Sequence, residues 1–170
     1  GIELVNLSGC DQPIQELGND LDFYENCQFR EFDDRQIELL IKLLKGILNR
    51  YPNIEPINIM GHSDIAPSRK VDPGPTFPWR RLYEEGLGIW YDDDDYKLFI
   101  KRLRNNPPSI AEIQKKLGDL GYLIEVTGIE DLKSQLVVRA FQMRFREGAY
   151  SGFLDLETMA IISALHKKYK

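Results

Sequence analysis

From Asp34 onward the chain sets its apolar residues at helical spacing. Ile37, Leu40, Ile41, Leu44, Leu48 and Tyr51 fall at i, i+3, i+4, i+7, i+11 and i+14, one face of a helix over 34–50 capped by Asp33 or Asp34. Leu39, Leu43 and Ile47 widen that face, which predicts cover on more than one side. Pro52 and Pro56 bound the connection that follows. Residues 57–60, Ile-Asn-Ile-Met, are a short apolar run before Gly61 and predict a buried strand delivering His62 to a sheet edge. A second helix is predicted from Pro78 through Glu85, stopping at Gly86, with Trp79 and Leu82 inward.

The chain opens on Ile2, Leu4 and Val5, good strand formers with nothing before them to turn or cap. This predicts a strand whose neighbours lie upstream, as in a fragment or a processed form. Residues 6–33 are polar and turn-rich and predict a long loop with one short helix, a length often found in groove walls. Cys10 and Cys27 lie within it, at a spacing compatible with either a disulfide or two reduced thiols.

The sequence Asn-Asn-Pro-Pro-Ser at 105–109 is the clearest punctuation in the chain and divides it into 1–104 and 105–170. Three helical patterns follow. Ser109 and Glu112 form a capping box ahead of Ile113, Leu117 and Leu120, closed by Gly121. Leu132, Leu136, Ala140, Phe141 and Phe145 make a second stripe, and Asp155 caps a third helix carrying Met159, Ile162 and Leu165. Just before the boundary, four aspartates at 92–95 read as an acidic helix start, where the positive end of the helix dipole favours them. The alternate acids and glycine of a calcium-binding EF-hand loop are not there.

Composition narrows the function classes. The 170 residues are 42% hydrophobic and 29% charged, as in a globular protein with a core. A net charge of −5 without a basic stripe argues against nucleic acid, because nothing is arranged to neutralise phosphates. No apolar run approaches the roughly 20 residues that span a bilayer. A Gly-x-Ser-x-Gly elbow and a Cys–His pairing signal are also lacking, which weakens any reading as a serine or cysteine hydrolase.

Chemistry concentrates in Gly-His-Ser-Asp-Ile-Ala-Pro-Ser-Arg-Lys-Val-Asp-Pro-Gly-Pro, residues 61–75. His62 offers an imidazole and Asp72 a carboxylate, with Pro73 restricting the aspartate's backbone toward extended conformations. The intervening Ala-Pro-Ser-Arg turns the chain so that residues ten apart can converge. Lys70, two before Asp72, shares its face in an extended segment, where an ammonium can stabilise an oxyanion. Spacing alone leaves two readings open: most of a zinc site, which needs three protein ligands and an open position, or a polar surface loop with ordinary ion pairs.

Residues 61–79 closely resemble the signature of the zinc-dependent N-acetylmuramoyl-L-alanine amidases of the AmpD/AmiD type, which are related in fold to peptidoglycan recognition proteins. The opening Gly-Ile-Glu-Leu-Val-Asn resembles that family's strand carrying a catalytic glutamate. Residues 141–165, with Leu-Gly-Asp-Leu-Gly-Tyr at 117–122 as an earlier half, resemble a peptidoglycan-binding helical module, and so point to the two-domain branch.

The resemblance implies an α/β fold: a mixed central sheet flanked by helices in an amidase domain over 1–104, its N-terminal part missing, and a small three-helix domain over 105–170. It implies His62 and Asp72 as two Zn2+ ligands, Lys70 as the oxyanion-stabilising residue and Glu3 as the glutamate that orients or deprotonates the attacking water. Ser68 stands where many members have glycine. The family's first zinc ligand is a histidine on an earlier strand, for which this chain has no candidate. His166, the other histidine, reads as an ordinary helix-terminal residue. The expected partners are therefore peptidoglycan or muropeptides, together with the missing N-terminal segment, supplied as a separate chain or lost by cleavage. The implied reaction is hydrolysis of the amide between N-acetylmuramic acid, or its 1,6-anhydro form, and the L-alanine of the stem peptide, in the periplasm or cell envelope. The alternative is an inactive amidase fragment or a non-catalytic peptidoglycan-binding protein. The helical module would tether the enzyme to polymeric wall, or it would simply pack on the amidase domain.

Overall fold

Asp33 starts the first helix by accepting the backbone N–H groups of Arg35 and Gln36 at 2.9 and 3.3 Å, which satisfies two donors that lack intrahelical partners. The computed structural model describes residues 1–6 and 27–170. Helix α1 runs Asp34–Arg50 and is followed by a 3-10 turn, Pro56–Asn58. Then come α2, His62–Ile65, and α3, Trp79–Glu84. The remaining helices are α4, Asp93–Leu103; α5, Ile110–Asp119; α6, Leu132–Phe145; and α7, Leu156–Tyr169.

Most of these elements fall where the apolar periodicity and the caps put them. Ser109 and Glu112 close the capping box of α5, and Asp131 and Asp155 each accept an N–H three residues on, from Ser134 and Thr158. The aspartates 93–95 occupy the first turn of α4. Trp79 and Leu82 of α3 are buried.

The expected mixed sheet is not present: no strand occurs among the described residues. A strand is a hydrogen-bonded relation between two segments, so an apolar run by itself cannot make one. Ile57 and Asn58 are drawn into the 3-10 turn instead, with Pro56 at its first position and the Asn58 side chain accepting the Glu55 N–H at 3.1 Å. The opening segment is held by side chains. Gln36 donates to the Val5 carbonyl at 3.1 Å, and Asn6 donates to the Arg30 carbonyl at 3.0 Å. The second correction concerns α1. Ile37, Leu40 and Ile41 are buried, whereas Leu39 and Leu43 are 65% and 49% exposed, so the described residues cover one face only. The loop expected over 6–33 falls mainly on residues 7–26, including Cys10, which lie outside the described residues.

The buried side chains form one continuous cluster from α1 through Trp79, Leu82 and Trp90 to α5, α6 and α7. Helix α6 sits at its centre. Val137, Val138, Ala140, Phe141, Met143 and Phe145 are all buried, as are the polar Ser134, Arg139, Gln142 and Arg144, so the helix is covered on every side. Burying a ring such as Phe141 contributes about 2–3 kcal/mol. The core crosses the Asn-Asn-Pro-Pro punctuation: α4 packs on α7, and α2 packs on α6. Lys168 of α7 donates to Asp92 and to the Tyr83 hydroxyl. Burial opposes its charge, but these hydrogen bonds outweigh that cost and hold it well above an ordinary lysine.

Candidate metal centre

Gly61 lets the chain turn into α2 at close quarters. A Cβ there would lie 2.9 Å from Pro73 Cδ and 3.1 Å from Trp79 Cζ2, so only a bare Cα fits between them. His62 is the first residue of α2 and Asp72 lies ten residues on, beyond a turn in which the Arg69 and Lys70 N–H groups both donate to the Ala66 carbonyl. The loop is closed at its base, where the Ser63 N–H donates to the Asp72 carbonyl at 2.8 Å. This backbone bond brings the two side chains together.

His62 Nδ1 lies 3.1 Å from Asp72 Oδ2, with 39% and 60% of the two side chains exposed. An imidazole nitrogen and a carboxylate oxygen each about 2.0–2.1 Å from a tetrahedral zinc stand about 3.3 Å apart. The observed separation is within a few tenths of an ångström of that edge, and both groups reach solvent, so the pair fits as two ligands of such an ion. Among the described residues no three of His, Cys, Asp and Glu converge, so the pair stands as a partial donor set.

The other expected site residues are not in contact with this pair. Lys70 is half-buried beside the turn, and its ammonium has no hydrogen-bond or ion-pair partner among the described residues. Glu3 is exposed on the opening segment and makes no hydrogen bond to His62, Lys70 or Asp72. His166 pairs with Asp119 at 2.9 Å on α7, as a helix-terminal residue does.

Behind the loop lies a buried residue that the sequence reading passed over. Asp64, 1% exposed, accepts from the Gly61 N–H at 2.8 Å, from the Tyr122 hydroxyl at 2.9 Å and from Arg144 Nη1 at 2.7 Å. Arg144 also donates through Nη2 to the Ile59 carbonyl at 3.0 Å, and its guanidinium lies 4.1 Å over the Trp79 ring. Burial and the neighbouring Asp64 charge push the Tyr122 hydroxyl well above an ordinary tyrosine, so it stays a donor. The signal was present as an arginine between Met143 and Phe145 of α6, but nothing local names its partner.

Known proteins match the chain in two consecutive parts. Residues 1–75 match the N-acetylmuramoyl-L-alanine amidase family, and residues 106–162 match a peptidoglycan binding domain. The chain is thus a homologue of the AmiD and AmpD amidases, with an amidase match followed by a peptidoglycan binding domain. Among particular relatives, it is 40% identical over 142 residues to the N-acetylmuramoyl-L-alanine amidase AmiD of Escherichia coli K12, covering 83% of this chain and 51% of AmiD. Its structure superposes on AmpDh3 of Pseudomonas aeruginosa in complex with anhydromuramic pentapeptide with a TM-score of 0.87 and 40% identity, over 99% of this chain and 62% of that one. E. coli AmiD, complexed with the substrate anhydro-N-acetylmuramic acid-L-Ala-D-gamma-Glu-L-Lys, aligns with a TM-score of 0.71 and 38% identity, over 82% of this chain and 54% of that one. The chain therefore spans about half the length of the AmiD it matches.

Proposed function

We propose that this chain is part of a zinc-dependent N-acetylmuramoyl-L-alanine amidase that cleaves the bond between N-acetylmuramic acid, or its 1,6-anhydro form, and L-alanine. The observation that carries the reading is the His62–Asp72 pair, held 3.1 Å apart by a loop closed through the Ser63–Asp72 backbone bond. The homology to AmiD and the anhydromuramyl peptides bound by the solved relatives support it. The catalytic part is assigned to 1–104 and the peptidoglycan-binding part to 105–170, and the place of action to the periplasm or cell envelope. No described helix is long and apolar enough to cross a membrane.

His62 and Asp72 would hold Zn2+, which when bound acidifies water and polarises a carbonyl. Lys70, half-buried beside the loop, would present its ammonium to the developing oxyanion. Glu3 would orient the attacking water, take its proton and return it to the leaving amine. The segment bearing Glu3 is tied to the rest of the chain by the Gln36 and Asn6 side chains.

The test is made in the full-length parent. Release of stem peptides from muropeptides is measured alongside zinc content for the parent and for His62→Ala, Asp72→Ala, Lys70→Ala and Glu3→Ala. The reading requires zinc to be lost in the first pair and turnover, with zinc retained, in the second. Parental turnover in both Lys70→Ala and Glu3→Ala would sink the two role assignments. A zinc-free, inactive parent would leave a non-catalytic peptidoglycan-binding protein.

A further inference from the structure

The buried network beneath the metal-ligand loop joins two parts of the chain that the Asn-Asn-Pro-Pro punctuation separates. We propose that Arg144, on α6 of the peptidoglycan-binding part, is a positioning residue for His62. The helical module is therefore a structural component of the candidate metal centre as well as a wall anchor.

The geometry grips the backbone on both sides of the histidine. On its N-terminal side, Arg144 Nη2 donates to the Ile59 carbonyl at 3.0 Å, and the Gly61 N–H donates to Asp64 Oδ2 at 2.8 Å. On its C-terminal side, the Asp64 carboxylate takes Arg144 Nη1 at 2.7 Å and the Tyr122 hydroxyl at 2.9 Å. Arg144 and Asp64 have 3% and 1% of their side chains exposed, so bulk water cannot substitute for either partner. The Trp79 ring caps the guanidinium at 4.1 Å, and Gly61 leaves no room for the loop to slide toward Trp79.

Helix α2 has only four residues and cannot hold its own conformation. What holds it is the carboxylate at its third residue, fixed from outside by α6 and by the tyrosine that follows α5. Two directed guanidinium bonds, one to a carboxylate and one to a carbonyl, use the planar fork of arginine, which a lysine ammonium cannot reproduce. Outer groups of this kind set ligand orientation, and their loss commonly costs about 10–100-fold in metal affinity.

The experiment compares the full-length parent with four variants of it. Arg144→Met and Arg144→Lys remove the fork. Asp64→Asn/Arg144→Gln removes both charges while keeping polar groups of similar size. Gln142→Leu serves as a control, since Gln142 is equally buried on α6 but bonds Gly152, Phe153 and Thr158, not the loop. Amide hydrogen exchange of residues 63–66 and the side-chain resonances of His62 are followed in each, after correction for global unfolding. Zn2+ alone is titrated against a competing chelator. Arg144→Met and Arg144→Lys are expected to speed exchange at residues 63–66 by about tenfold or more and to displace or broaden the His62 resonances. Gln142→Leu leaves both unchanged at matched stability. If Arg144→Met does not fold, the double variant decides. Exchange and His62 signals within about twofold of the parent chain, in whichever of these folds, would overturn the proposal.

The metal titration rests on the amidase reading. A parent chain that takes up no Zn2+ counts against that reading, and the exchange and histidine signals still decide the role of Arg144.

Discussion

Arg144 Nη1 donates to Asp64 Oδ2 across 2.7 Å and 80 residues of sequence, and the two side chains are almost wholly removed from water. A buried ion pair gains little over an apolar pair of the same shape, but removing one member strands the other. Asp64→Ala is therefore expected to cost about 3–5 kcal/mol. The Asp64→Ala/Arg144→Ala double replacement should cost about 1–3 kcal/mol less than the sum of the two single losses. Urea unfolding of the two single variants and the double variant measures it, and additive losses would show that the pair does not act as a unit.

Gly61→Ala should disturb the site more than its size suggests. The added Cβ falls 2.9 Å from Pro73 Cδ and 3.1 Å from Trp79 Cζ2, and neither ring can swing away as a flexible chain would. The backbone φ of −80° is ordinary, so the cost is one of overpacking, about 1–3 kcal/mol. Thermal unfolding gives the loss. Zinc uptake should fall with it, because the displaced Pro73 directly follows Asp72 in the chain.

In the full-length parent, Lys70→Ala should lower kcat by about 100–1,000-fold if the ammonium serves the oxyanion. Glu3→Ala should lower it by about 100–10,000-fold as loss of a general base. KM and the melting temperature should change little, since Glu3 is exposed and Lys70 has no recorded partner among the described residues. Steady-state kinetics on a defined muropeptide separates these outcomes from a binding defect.

Acid should unfold the helical part through its surface carboxylates. Hydrogen bonds from Lys115 and then His166 hold Asp119 below the usual carboxylate range, and the Ser134 backbone N–H does the same for Asp131. Burial opposes ionisation of Asp155, but hydrogen bonds from Arg146 and Thr158 prevail and also lower it. A depressed folded pKa means that the unfolded chain binds more protons. The stability from these groups is therefore present above the unfolded value, about pH 4, and is lost as pH falls through the folded values. The melting temperature should be flat from pH 7 to about 5 and decline below about 4. In Asp131→Asn, which keeps a capping oxygen without the charge, the decline should be shallower.

Much of the helical architecture was legible from local signals. The Asp33 cap and the apolar positions Ile37, Leu40 and Ile41 mark α1, and the Ser109–Glu112 box marks α5, because a cap and a 3.6-residue period involve residues within a turn or two of each other. The strands predicted at the opening and at residues 57–60 failed for the complementary reason. Pairing depends on a second segment, and local bonds from Pro56 and Asn58 claimed the run first. Leu39 and Leu43 show the same limit, since apolar character says what a face tolerates and not what covers it.

The sequence by itself determined which side chains the loop carries. A histidine, a lysine and an aspartate stand within eleven residues, with Gly61 and Pro73 to shape the turn, and that local order leaves a metal site and a polar surface loop with ordinary ion pairs both open. Only the tertiary structure decided what supports those side chains. The Asp64 carboxylate reads as one polar residue among several until α6 brings Arg144 against it and Tyr122 closes the other side. Desolvation of three distant side chains at one point is a property of the folded core, and no spacing along the chain encodes it.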